Sequence, residues 1–163
     1  MTDNSLYETD VVTWADRQVA ELRRLAEAGV TNSVDWANVI EEIENVGRSE
    51  WRGVRSQLVN ALTHVIKGAC DPDSLSRVGW GAETSLFLGD ARDDFRPSMR
   101  QHLDIDDAWQ SAFRRATDSL RPYGLLVPPG LPKACPFTLD ELLANAFSYD
   151  DAVAKLHALT RKR

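Results

Sequence analysis

Cysteine is nearly missing from this chain. Cys70 and Cys135 are its two thiols among 163 residues, and no Cys-x-x-Cys occurs. A disulfide-stapled fold needs several half-cystines, so stability must come from a packed core, and two isolated thiols read as reduced and cytoplasmic. Long apolar runs are missing too: none approaches the ~18 residues that a membrane span needs. The opening MTDNSLYETD is polar and acidic, unlike a signal peptide. Basic charge is in deficit, with 19 Lys and Arg against 25 Asp and Glu and a net charge of -6. That sign disfavours nucleic acid as a partner. Strand-like alternation is absent. Gly-x-Ser-x-Gly, a P-loop and Gly-x-Gly-x-x-Gly are absent as well, so the chain offers no recognisable catalytic motif and implies no cofactor.

Helical periodicity fills the space these absences leave. The longest pattern runs from about Asp35 to Gly68, where Trp36, Ile40, Ile43, Trp51, Val54, Leu58, Leu62 and Val65 recur at helical spacing. They fall within an arc of ~100°, the width of a core-facing stripe. A straight helix of that length would outrun a compact domain, so the pattern predicts a bend at Gly47 or Gly53, or else a covering segment or second subunit. Glu41, Glu44, Arg48, Arg52 and Arg55 form a salt-bridged outer face, with Glu44 and Arg48 in the favourable i,i+4 order.

Shorter helices flank the long one. The first is expected from about Asp10 to Ala28, capped by Thr9 or Asp10 and stopped by Gly29 in a left-handed conformation. The short link after it predicts antiparallel packing, with Ser33 or Asp35 starting the long helix. A third helix is expected from Pro72 to Gly89 with Leu75, Val78, Ala82 and Leu86 facing inward. A fourth runs from about Asp94 to Leu120 with a kink near Asp104–Asp106, where either aspartate could cap a second segment. Five of the seven prolines lie in residues 121–137 among Leu125, Leu126, Val127, Leu131 and Phe137. Proline forbids helix there, and the apolar content predicts an extended arm packed on the bundle. Thr138 and Glu141 form a capping box for a short helix to about Ala146, and a last helix runs from about Asp150 to Thr160 before a basic Arg161–Arg163 end. The expectation is one all-α domain over residues 1–163: an antiparallel helical bundle around one long helix, with a Pro-rich arm and short C-terminal helices.

Some polar groups sit on apolar faces. Glu50, Gln57 and His64 recur every seven residues along one margin of the long stripe, a polar seam expected to line a helix–helix interface within or between subunits. His102 and Asp106, at i,i+4, share a face with Phe95, Met99 and Trp109 and are the weak candidates for a metal site. The Glu-x-x-His pairs of helical di-metal sites are missing, because no Glu stands three residues before His64, His102 or His157.

With these segments in place, the chain resembles a bacterial all-helical family described as domain of unknown function 29. Three stretches carry the likeness: YETDVVTWADRQVAELRRL, DWANVIEEIENVGRSEWRGVRSQL and CPFTLDELLANAF. They span residues 7 to about 147, leaving 148–163 as an extension. The Glu-Glu-Ile-Glu-x-x-Gly-Arg-Ser run is the most distinctive part. The family follows His-x-x-Lys with an aromatic, where this chain has Gly68 after His64-Val-Ile-Lys67. The resemblance implies a helical fold and no activity. Long helix, polar seam and five tryptophans together predict a protein-interaction or oligomeric module, a homodimer or an adaptor for a protein partner. The alternative is a metal- or small-ligand-binding bundle, or an enzyme of unknown reaction.

Overall fold

A computed structural model describes residues 3–31, 33–128 and 130–160. The described residues form helices and connecting turns, with no strand among them. The helices are α1 (Asp3–Thr9), α2 (Val11–Glu27), α3 (Trp36–Cys70), α4 (Arg77–Asp94), α5 (Ile105–Leu120), α6 (Leu139–Leu143) and α7 (Tyr149–Thr160), with 3-10 turns at Pro97–His102 and Arg121–Tyr123. Two compact units result, and α3 contributes to both. One holds residues up to Gly53 together with Phe95–His102; the other holds Val54–Asp94 and the chain from Leu103 onward.

In the first unit, α2 begins at Asp10. Its carboxylate accepts hydrogen bonds from the Thr13 backbone N–H (3.0 Å), the Thr13 hydroxyl (2.9 Å) and the Ser98 hydroxyl (2.7 Å). Burial alone would raise the Asp10 pKa, but these donors and the nearby Arg96 charge bring it below the usual carboxylate value. Gly29 ends α2 at φ +64, as its position after the last apolar residue predicts. Asp35 opens α3 by accepting from the Asn38 N–H at 3.3 Å. Arg23 pairs with Glu44, and a Cβ on Gly47 would lie 3.1 Å from the Ala15 Cβ, so α2 and α3 run antiparallel with a close approach at Gly47. The short α1, which the sequence pattern does not announce, sets the Tyr7 ring edge-on to Trp14 at 4.8 Å.

The second unit holds most of the core. Val54, Leu58, Val59, Leu62, Val65 and Ile66 of α3 are fully buried. With Ala61 and Gly68, also buried, they cover about half of the helix circumference, wider than a ~100° stripe, which marks this half of α3 as a central helix. Each such side chain contributes about 1.5–3 kcal/mol by leaving water. His64 opposes Glu83 and Lys67 opposes Trp80, so α4 runs antiparallel to α3. Arg55 meets Asp107 and Asn60 meets Arg115, so α5 runs parallel to it. Asp104 caps α5 by accepting from the Asp107 N–H at 3.0 Å. The Pro-rich arm is pinned where the Trp109 indole N–H donates to the Pro132 carbonyl (2.8 Å) and the Cys135 N–H donates to Asp106 (2.8 Å). It buries Leu131 and Phe137 but leaves Leu126 at 80% exposure. The capping box of Thr138 and Glu141 is present.

Helix α3 is continuous through Gly47 and Gly53. Other expectations need correction. The third helix starts at Arg77, five residues after Pro72, because Asp71–Ser76 form turns instead. Asp104 does cap a second segment, α5, but the stretch ahead of it, Pro97–His102, is a 3-10 turn rather than the first part of a fourth α-helix. Arg55 is not part of a purely solvated face, for it reaches Asp107 and Ser111 on α5.

Candidate functional site

Helix α4 is apolar on two opposite sides. Inward, Thr84, Leu88 and Ala91 are buried and Trp80 and Phe87 half-buried. Outward, Val78 is 85% and Leu86 61% exposed, and Leu75, just ahead of the helix, is fully exposed. The sequence pattern places Leu75, Val78, Ala82 and Leu86 in the core; the structure turns that stripe to solvent. Two apolar faces half a turn apart cancel the periodic signal, so the pattern alone cannot say which one the core takes. The wider aromatic and leucine face wins, because it buries more apolar surface.

What lies beneath α4 fixes its rotation. The His64 imidazole Nε2 sits 3.1 Å from the Glu83 carboxylate, and its ring stacks on Phe87 at 5.8 Å and 7°. Burial lowers the His64 pKa, Glu83 opposes that shift and Lys67 adds to it. The Lys67 ammonium lies over the Trp80 ring at 4.5 Å, and burial lowers its pKa as well, against the pull of Glu83. The Thr84 hydroxyl is satisfied by the Trp80 carbonyl at 2.7 Å. On the other side, Tyr149 of α7 is wedged between two glycines. A Cβ on Gly68 would lie 2.1 Å from the Tyr149 hydroxyl, and one on Gly81 would lie 3.1 Å from its ring. Gly68 therefore leaves the space that an aromatic side chain from α7 fills.

A groove of about 600 Å³ runs beside the outward stripe, walled by Val78, Gly81 and Ser85 on one side and by Phe147 and Tyr149 on the other. The Arg77–Asp150 ion pair (2.7 Å) closes one end. This apolar stripe and groove, on rigid helices, form a surface able to take side chains from another helix.

The residues singled out from sequence separate. Glu50 is exposed and belongs to the first unit; Gln57 and His64 are half-buried and belong to the second. His64 uses its place in the seam for an intrachain helix–helix contact. His102 ends the 3-10 turn of the first unit and stacks on Trp51, whereas Asp106 lies in α5 of the second and accepts from Cys135. They do not share one helix face, because the chain leaves helix between them. Among the described residues no group of three His, Cys, Asp or Glu is placed to hold a metal. Burial pushes both thiols up to about 11, so neither is a ready nucleophile at neutral pH. Among the described residues no helix is long and apolar enough to cross a membrane.

Comparisons with known proteins agree with this architecture. A crystal structure of an alpha-helical protein of unknown function from Rhodospirillum rubrum ATCC 11170 superposes with a TM-score of 0.79. It is 30% identical in sequence, over 92% of this chain and 96% of that one. Among curated proteins nothing matches. The family model described as Domain of unknown function DUF29 matches residues 6–148, and the chain belongs to that family.

Proposed function

We propose that the protein is an oligomeric interaction module that pairs the outward face of α4 with the same face of a second copy. The bare apolar side of a helix already apolar on its inner side carries this reading, since such a helix is stable when covered on both. The stripe is also self-complementary about Ala82. An antiparallel two-fold contact centred there sets Val78 against Leu86 of the other copy and Gly79 against Ser85. A Cβ on Gly79 or Gly89 would meet nothing within 4 Å, so each of these positions leaves room for a side chain from outside. Glycine inside a helix costs about 1 kcal/mol relative to alanine, which an intermolecular contact would offset. The His64–Glu83 contact supports the same reading by holding α4 in the rotation that keeps this face outward.

An Ala82→Cys variant tests the symmetry. Residues on a two-fold axis meet their own copies, so mild oxidation should convert most of this variant to a disulfide-linked dimer, while Glu42→Cys on the outer face of α3 should stay without an intermolecular disulfide under the same conditions. Equal slow cross-linking of both would overturn the proposal.

A further inference from the structure

The first unit carries a separate cavity of about 400 Å³ on the α2–α3 surface. Its floor is apolar, from Val12, Val19 and Gly47, and the close approach at Gly47 shapes it. Its rim is charged. Asp16 and Arg23 of α2 face Glu44 and Arg48 of α3, and the stacked pair of Trp51 and His102 (5.7 Å, 12°) closes one side.

The charges are balanced but not mutually satisfied. Glu44 is shared: Arg23 holds one of its oxygens, and Arg48 lies 3.8 Å from the other. Besides that loose pair, Arg48 donates to the Asn45 side chain at 3.2 Å. A guanidinium has five N–H donors in a planar fork, so Arg48 keeps capacity for a carboxylate. Asp16 has no basic partner among the described residues. Asp16 follows the Ala15 that touches Gly47, and Arg48 follows Gly47, which sets the two side chains at similar levels of the antiparallel pair. A simple anion here would meet Asp16 and Glu44. A simple cation would meet Arg23 and Arg48. A small molecule carrying both charges, with an apolar remainder for the floor, satisfies the whole rim.

We infer that this cavity is a binding site for a small zwitterion of the α-amino acid class, its carboxylate on Arg48 and its ammonium on Asp16. The cavity lies in the size range of small-ligand sites and is built from helices rather than loops.

The test uses the full chain and the twenty common L-amino acids, each at about 5 mM, screened by thermal shift and followed by calorimetry. A ligand that binds only the folded state raises the melting temperature by mass action. At least one amino acid is expected to bind. Asp16→Asn and Arg48→Met should each weaken it about tenfold or more, as should removing either the amino or the carboxyl group from the ligand. Both positions are at the rim, and circular dichroism with melting of the unliganded variants separates lost binding from lost fold. Three results would each overturn the inference: no amino acid binds, the deaminated or decarboxylated analogue binds as well as its parent, or both variants bind like wild type.

Discussion

The two units share a helix and treat it differently. In the first, the α3 stripe of Trp36, Ile40, Ile43 and Trp51 is half-buried, and ion pairs of Glu44 with Arg23 and Arg48 lie beside it. In the second, Val54, Leu58, Leu62 and Val65 continue the same stripe at zero exposure, with Val59 and Ile66 buried beside them. A single amphipathic pattern therefore covers two physical situations: a helix packed on one side, and a helix at the centre of a core. The difference predicts that stability resides in the second unit and that the first is where side chains can rearrange around a ligand.

Leu62→Ala should cost about 2–5 kcal/mol, whereas Ile43→Ala, half-exposed already, should cost roughly 1 kcal/mol. Denaturant titration of the two variants measures this, and equal losses would mean that the first unit's face is as tightly packed as the second's. Glycines give a sharper contrast of opposite sign. Gly68→Ala drives a methyl into the Tyr149 hydroxyl and should destabilise by about 1–3 kcal/mol, while Gly53→Ala meets nothing within 4 Å and should stabilise by about 0.5–1 kcal/mol. Thermal melts of both decide the signs.

The smallest effect is electrostatic. Because burial lowers the His64 pKa from its ordinary 6.5, the folded chain binds this proton less readily than the unfolded chain. The histidine's contribution is thus fully present above pH 6.5 and is lost as pH falls from there through the lower folded value. His64→Gln should flatten the fall in stability over that interval, seen as a smaller difference between urea midpoints on either side of it. An unchanged slope would place the acid sensitivity elsewhere.

Much of the fold could be read from the chain. The α3 spine, the Asp10 start and Gly29 stop of α2, and the Thr138 capping box all follow from local chemistry that tertiary packing did not override. The rotation of α4 could not be read, because Leu75, Val78, Ala82 and Leu86 compete with Trp80, Thr84, Phe87 and Leu88 at equal periodicity. Nor could the 3-10 turn at Pro97–His102, although the Asp104 cap that starts α5 could. The cavity rim was half visible. Glu44 and Arg48 stood out as a pair, but Arg23 and Asp16 join them only through the antiparallel packing of α2, a long-range consequence that no spacing within one helix encodes.

Light-scattering mass over a hundredfold dilution, on wild type and on a Val78→Glu, Leu86→Glu double variant, decides whether the outward face of α4 pairs two copies. Both positions are exposed in the single chain, so the substitutions leave its core intact. Pairing through this face gives twice the chain mass for wild type and a folded monomer for the variant. A wild type that is monomeric throughout, or a variant that keeps the wild-type mass, would contradict it.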